Sequence, residues 1–279
     1  MRSLISLRDI TVRYPLKGGG THTVFSGLNL TIDEGEFICV VGQTGCGKST
    51  LLRLILGSEQ PSSGEVRMDG RQIQEPNRER GYVPQKCSLF PDKTVLENVA
   101  FGPIIESFRL HRLVSPAWWK TRKNIRDESS EYLRRVGLSP KDGSKYPDQL
   151  SGGMQQRVSI AQSLIMQPRI LLMDEAFSAL DPATRAEMQR LTRSIWQDTN
   201  TTFLFVTHNL AEAVFLGSRV ILIAKENAAD HSRIACDLQI PDRIRRADGY
   251  PRQDELDRVI YKLECAAVDK RPDDVLVLK

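Results

Sequence analysis

Residues Gly42-Gln43-Thr44-Gly45-Cys46-Gly47-Lys48-Ser49-Thr50 place the strongest constraint on this chain. They fit Gly-x-x-x-x-Gly-Lys-Ser and stand between two apolar stretches. Before them runs Phe37-Ile38-Cys39-Val40-Val41; after them Leu51 to Leu56 is closed by Gly57. An unbroken apolar run suits a strand buried on both faces, and the second stretch suits a helix. Strand, glycine-rich loop and helix in that order form a phosphate cradle. Glycines let successive backbone N–H groups converge on phosphate oxygens, and the helix start adds positive potential. Lys48 can neutralise the outer phosphates and the Ser49 hydroxyl can ligate Mg²⁺. The nine residues from Gly42 to Thr50 are therefore expected to bind a nucleoside triphosphate.

The rest of the chain is patterned to match. Ile10, Val12 and Tyr14 alternate with Thr11 and Arg13, and Leu28, Leu30 and Ile32 alternate with Asn29 and Thr31. This period of two predicts half-buried antiparallel strands, joined across the turn Lys17-Gly18-Gly19-Gly20-Thr21. A short strand is expected between the turns Pro61-Ser62-Ser63-Gly64 and Asp69-Gly70. Thr94 and Glu97 make a capping box that opens a helix, and from Gly102 to Pro147 the pattern is helical and charged. Asp181-Pro182 is an N-cap followed by Pro at the first helical position, predicting a helix toward Thr199. Arg169–Met173, Thr202–Val206 and Arg219–Ala224 read as buried strands, with a helix ending at Gly217 between the last two. Leu256, Val259, Ile260 and Leu263 lie on one face of a tail helix. Strands alternating with helices give a largely parallel sheet, and a helical block inserted midway implies a subdomain.

Composition narrows the setting. The 279 residues allow one large domain or two intimate ones. A net charge of +4 leaves no electrostatic footprint for nucleic acid. No apolar run approaches the roughly 20 residues of a membrane-spanning helix, and Met1-Arg2-Ser3-Leu4-Ile5 does not open a signal peptide. Five scattered cysteines without metal-ligand spacing point to a reducing compartment and no structural zinc.

Two further clusters carry chemistry. Arg169-Ile170-Leu171-Leu172-Met173-Asp174-Glu175 is an apolar strand ending in two acids. A carboxylate at such a strand end can hold a magnesium hydration shell, here Asp174, and the next can activate an attacking water, here Glu175. Leu150-Ser151-Gly152-Gly153-Met154-Gln155-Gln156-Arg157 has Ser151 as an N-cap, two glycines exposing backbone N–H groups, and a helix whose positive end faces an anion. One chain already has a phosphate-binding helix, so a second suits the γ-phosphate of a partner's nucleotide.

This last segment resembles the signature of ATP-binding cassette (ABC) ATPases, and the resemblance extends over most of residues 4–224. Gln85, after Gly81-Tyr82-Val83-Pro84, resembles the Q-loop; Ser178-Ala179-Leu180-Asp181 the D-loop; Thr207-His208 the switch histidine. Tyr14 is placed like the aromatic that stacks on adenine. The resemblance implies an α/β phosphate-loop fold with a mostly parallel central sheet, an antiparallel β subdomain and an inserted helical subdomain. The expected segments are 1–89 and 166–224 for the two parts of the core, 90–165 for the helical subdomain and 225–279 for the tail. It implies ATP and Mg²⁺ as cofactors, with Ser49, Gln85 and Asp174 around the metal. Tyr14, Ser151, Gly152, Gly153, Gln155 and Asp181 would contact nucleotide; Glu175 would polarise the water and His208 contact the γ-phosphate and orient that water. It implies two cassettes sandwiching two ATPs, a homodimer of this subunit, on the cytoplasmic face of the membrane.

A single cassette with no membrane span must borrow its path from two membrane subunits, and Leu89-Phe90-Pro91 with Thr94-Val95-Leu96-Glu97-Asn98-Val99 resembles importers served by an extracytoplasmic solute-binding protein. Ile240-Pro241-Asp242-Arg243-Ile244-Arg245-Arg246 and the tail helix resemble the nitrate/sulfonate/taurine group. Ala176, where most cassettes carry Pro, resembles the glycine betaine/proline group instead, and an exporter or lipid-transport ATPase is a third reading. Non-transport cassettes acting on DNA or ribosomes pair two cassettes or insert a coiled coil, which does not fit. Ala161-Gln162-Ser163-Leu164 departs from the family's Ala-Arg-Ala-Leu. Trp118-Trp119, amid Lys120, Arg122, Lys123 and Arg126, either complete a local core or meet a membrane subunit or anionic headgroups.

Overall fold

The structure, a computed structural model, describes residues 2–110, 116–225, 231–241 and 252–267. They form two compact units, residues 1–77 with 202–279, and residues 78–201.

The first unit is built on a sheet whose strands run in the order β5-β4-β1-β2-β10-β9-β3-β8. These strands are β1 (Ser3–Pro15), β2 (Thr21–Asp33), β3 (Phe37–Val41), β4 (Ser63–Met68), β5 (Arg71–Gln72), β8 (Thr202–Thr207), β9 (Arg219–Lys225) and β10 (Ser232–Gln239). Both expected strand alternations are present. β1 pairs antiparallel with β2 and with β4, and Leu7, Ile10 and Val12 face Leu30, Leu28 and Phe25. The continuous apolar run is β3, all of it buried, paired in parallel with β8 and β9. β3 therefore sits mid-sheet, where every backbone group finds a partner and no polar side chain is required. Helix α1 (Lys48–Leu56) buries Leu51, Leu52, Leu54 and Ile55. Gly57 closes it at φ 85°, where its N–H reaches Arg53 O and Leu54 O. Helix α6 (Leu210–Leu216) packs on β3, β8 and β9, and α7 (Gln253–Ala267) packs on α6, β9 and β10. Leu263 and Cys265 are the fully buried positions of α7, while Leu256, Val259 and Ile260 are half-buried.

The second unit holds β6 (Arg80–Val83) and β7 (Ile170–Asp174), paired in parallel with Gly81 opposite Leu171. Its helices are α2 (Val95–Leu110), α3 (Pro116–Arg135), α4 (Gly152–Leu164) and α5 (Pro182–Asp198). The capping box forms as expected: Glu97 N–H donates to Thr94 Oγ1 at 3.3 Å and Thr94 N–H to Glu97 Oε2 at 2.9 Å. Those two donors from Thr94, backbone first and hydroxyl second, hold the Glu97 carboxyl below the usual range. Asn98, fully buried, accepts from Phe90 N–H at 2.7 Å and donates to the carbonyls of Phe90, Lys93 and Thr94 at 3.0–3.1 Å. One side chain thus ties the turn before α2 to the helix itself. The unusual Ser163 lies late in α4, where its hydroxyl bonds Tyr82 O at 2.9 Å and Ser159 O at 3.1 Å.

β6 and β10 were not expected. β6 is four residues with a glycine in second place, and β10 is only half-buried, so neither shows a clean hydrophobic period. The β7 strand is one residue further along than Arg169–Met173, because Asp174 completes it. Trp118 and Trp119 fall at the start of α3 among side chains outside the described ones, and residues 242–251 of the tail also lie outside the described residues.

Candidate nucleotide site

In the first unit the loop between β3 and α1 has the form its sequence implies. Gly45 and Gly47 stand at φ 80° and 96°, the left-handed region that favours glycine. A Cβ on Gly47 would come within 2.6 Å of Phe25 Cζ and Val24 Cγ1; one on Gly42 would meet Ile223 O at 2.3 Å. The loop is thus pressed against β2 and β9 at its two ends, while Gln43, Thr44 and Gly45 form an exposed crest. Lys48 is buried and its Nζ spans the loop, donating to Gly42 O at 2.7 Å and Gln43 O at 2.9 Å. Helix α1 starts at Lys48 with Gly47 as N-cap and no side-chain cap, so its first N–H groups suit an anion. Cys46 is buried within the loop; burial pushes its thiol up, against the lowering pull of the Lys48 charge.

His208 is exposed directly after β8, in a turn that its neighbours hold. Thr207 Oγ1 accepts from Asn209 N–H at 3.0 Å and donates to Glu212 Oε2, and Asn209 Oδ1 accepts from Glu212 N–H at 3.1 Å. Glu212 is a buried carboxylate that the sequence did not single out. Tyr14 is half-buried near the end of β1, its hydroxyl bonded to Glu59.

In the second unit, Asp174 ends β7 and Glu175 follows at φ 44°. A non-glycine residue in that region costs roughly 1–2 kcal/mol, and it turns the Glu175 side chain out of the strand direction. Gln85 Nε2 donates to Ser178 Oγ at 3.2 Å and lies 3.5 Å from Glu175 Oε2. The structure therefore gathers Gln85, Glu175 and Ser178, from segments 90 residues apart.

Ser151 is the N-cap of α4, accepting from Met154 N–H at 3.3 Å. Gly153 is required by packing, since a Cβ there would lie 2.5 Å from Thr184 Cγ2 on α5. The Gln155 amide donates to Pro147 O at 2.9 Å and Leu150 O at 3.4 Å, so its donors serve the turn before the helix. Asp181 Oδ1 caps α5, accepting from Ala183 and Thr184 N–H at 3.1 Å; the Thr184 bonds hold its carboxyl below the usual range. Arg185, which no motif flagged, donates to Phe177, Ser178 and Leu180 carbonyls at 2.9–3.4 Å and pins the turn between β7 and α5.

A cavity of about 880 Å³ opens on the outer face of the antiparallel strands, lined in part by Arg8, Asn29, Arg67 and Arg219. None of the motif residues line it, and two of its guanidinium groups are engaged: Arg67 with Glu65, and Arg219 with Asp237 and Glu36.

A strand-loop-helix phosphate cradle and a strand ending in paired acids define a phosphate-loop nucleotide hydrolase. The ABC transporter family profile matches residues 25–178. The nitrate import ATP-binding protein NrtD of Synechococcus elongatus is 41% identical over 230 residues, covering 82% of this chain and 79% of that protein. The aliphatic sulfonates import ATP-binding protein SsuB of Bacillus anthracis is 35% identical over 237 residues, covering 85% and 88%. A solved ATP-binding cassette, in a dimeric post-hydrolysis state bound to ADP and Pi, superposes with a TM-score of 0.70 at 30% identity, covering 85% of this chain and 99% of that one. The chain belongs to the ABC transporter family, as an ATP-binding cassette with ATPase activity.

Proposed function

We propose that this cassette powers uptake of a small oxyanion of the nitrate or sulfonate kind, working as a homodimer with two membrane subunits and an extracytoplasmic solute-binding protein. Its place is the cytoplasmic face of the membrane. The observation that carries the reading is a second glycine-flanked helix start, Ser151-Gly152-Gly153 at α4, in a chain that already has a phosphate loop. The similarity to nitrate and sulfonate import proteins supports the solute class. Among the described residues no helix is long and apolar enough to cross a membrane.

In this reading Gly42 to Thr50 wrap the β- and γ-phosphates, and Lys48 exchanges its loop carbonyls for phosphate oxygens. Tyr14 stacks on the base. Ser49, Gln85 and Asp174 supply hydroxyl, amide and carboxylate oxygens, the hard donors that Mg²⁺ prefers. Gln85 suits that role because its amide nitrogen is turned to Ser178 and Glu175, which presents its oxygen elsewhere. When bound, Mg²⁺ would neutralise charge on the phosphates. Glu175 accepts the proton of the attacking water, and His208 contacts the γ-phosphate and orients that water. Ser151, Gly152 and Gly153 present N–H groups to the partner's γ-phosphate, with Gln155 and Asp181 shaping the turns around it.

The test is purification of the tagged cassette from its native membrane. Two membrane subunits and a solute-binding protein should accompany it, and that binding protein should gain thermal stability with nitrate or a sulfonate. Stabilisation by betaine or proline alone would move the assignment to that solute class, and recovery of a membrane complex with no binding protein would move it to export.

A further inference from the structure

The nucleobase end of the proposed site contains a polar cluster that no motif accounts for. Tyr14 lies one residue before the end of β1, and the hairpin beyond it is rich in glycine. Gly18, Gly19 and Gly20 stand at φ 108°, 96° and 90°, with no atom within 4 Å of where a Cβ would be. The tyrosine is tied down at its hydroxyl. That hydroxyl donates to Glu59 Oε1, lies 3.5 Å from Thr50 Oγ1, and accepts from an Arg53 guanidinium nitrogen at 3.4 Å. The other carboxylate oxygen, Glu59 Oε2, takes Arg53 Nε at 2.8 Å, and Arg53 also donates to Thr50 Oγ1 at 3.0 Å. Glu59 reaches this point because Gly57 turns the chain back over α1, with Ser58 and Glu59 N–H both directed at Arg53 O.

We propose that Glu59, anchored by Arg53, is a positioning residue that fixes the Tyr14 ring for the base of bound ATP and sets its register to the phosphate loop. The inference rests on the reading of Tyr14 as the stacking residue. Thr50 follows Ser49 directly and Arg53 lies one turn further on, so the hydroxyl is referenced to the helix that begins at the phosphates. A carboxylate accepting from both Tyr14 and Arg53 leaves the ring a narrow range of torsions. Binding then does not have to order the ring, and an ordered contact surface raises affinity. The same bonds raise the Arg53 pKa, the Glu59 hydrogen bond first. Glu59 is catalytically silent: it acts on affinity for the base through Tyr14 and does not touch the phosphates.

The experiment measures dissociation constants of the full chain by calorimetry for Mg-ATP and for Mg-tripolyphosphate, which has the phosphates and no base. Glu59→Ala and Tyr14→Phe should each weaken ATP binding by about three- to tenfold, the cost of ordering one side chain. Tripolyphosphate binding should stay within about twofold of the parent protein, and for Glu59→Ala kcat should hold while KM rises. Glu59→Gln keeps an acceptor oxygen and should recover part of the loss. Tyr14→Ala, which removes the ring, should weaken ATP more than Tyr14→Phe does. If Tyr14→Ala weakens ATP while Glu59→Ala and Tyr14→Phe do not, positioning is refuted and stacking stands. If Tyr14→Ala binds ATP as the parent does, the stacking reading fails and takes the proposal with it. Equal weakening of ATP and tripolyphosphate by Glu59→Ala would mean that Glu59 shapes the loop itself, which overturns the inference.

Discussion

Glu175 combines two properties that pull against each other. Its backbone at φ 44° is the kind that glycine adopts without strain, yet a carboxylate occupies it. Strain of this kind persists where the side chain is needed. Glu175→Gly should therefore abolish ATP turnover and still stabilise the fold by about 1 kcal/mol, the left-handed penalty removed less the entropy cost of glycine. Thermal melting alongside the activity assay checks it; a lower melting temperature would mean that the side chain's contacts outweigh the strain. The candidate site residues can be named from the sequence, because Gly-x-x-x-x-Gly-Lys-Ser and the paired acids 174 and 175 are local patterns. Their conformations were not. Nothing in the sequence shows that the Gln155 amide serves Pro147 and Leu150, or that Gly153 is required by Thr184 across a helix contact. Those are tertiary facts, and so are the pinning by Arg185 and the bonding of Thr207 to the buried Glu212.

At the scale of elements, local signals worked where they were strong. Thr94 with Glu97 and Asp181 with Pro182 placed helix starts, because capping involves residues within one turn. The buried strands β3, β8 and β9 were visible as apolar runs. β6 and β10 were not, since their burial is supplied by neighbours distant in sequence. The same distinction applies to Asn98, which reads as an ordinary polar residue of an amphipathic helix but is fully buried with four bonds to the segment 90–94. Asn98→Ala strands Phe90 N–H and the Lys93 carbonyl, while the Phe90 and Thr94 carbonyls keep the backbone N–H groups of Lys93 and Asn98. Each buried group left unpaired costs about 1–3 kcal/mol, with partial relief from local rearrangement. We expect a loss of about 2–4 kcal/mol in denaturant unfolding. A loss below about 1 kcal/mol would show that water replaces the side chain.

For the molecule as a whole, the division of labour is chemical. Residues 1–77 with 202–279 carry the phosphate loop, Tyr14 and His208, and residues 78–201 carry Gln85, Asp174, Glu175 and the signature helix start. Sequence order alone could not group these segments, because the chain leaves the first unit near residue 78 and returns to it near 202. In the proposed function Glu175 activates water after ATP is bound, in a dimer that ATP holds together. Glu175→Gln keeps the size and the hydrogen-bonding capacity of the side chain and removes its basicity. Its turnover should fall by about 10²- to 10⁴-fold, the usual contribution of a general base. The most direct measurement is the solution mass of this variant with Mg-ATP, with Mg-ADP and without nucleotide, beside its steady-state ATPase rate. A stable dimer with ATP only, unchanged ATP affinity and almost no turnover are expected. Parent-like hydrolysis by Glu175→Gln, with no nucleotide-dependent dimer, would contradict the proposed function.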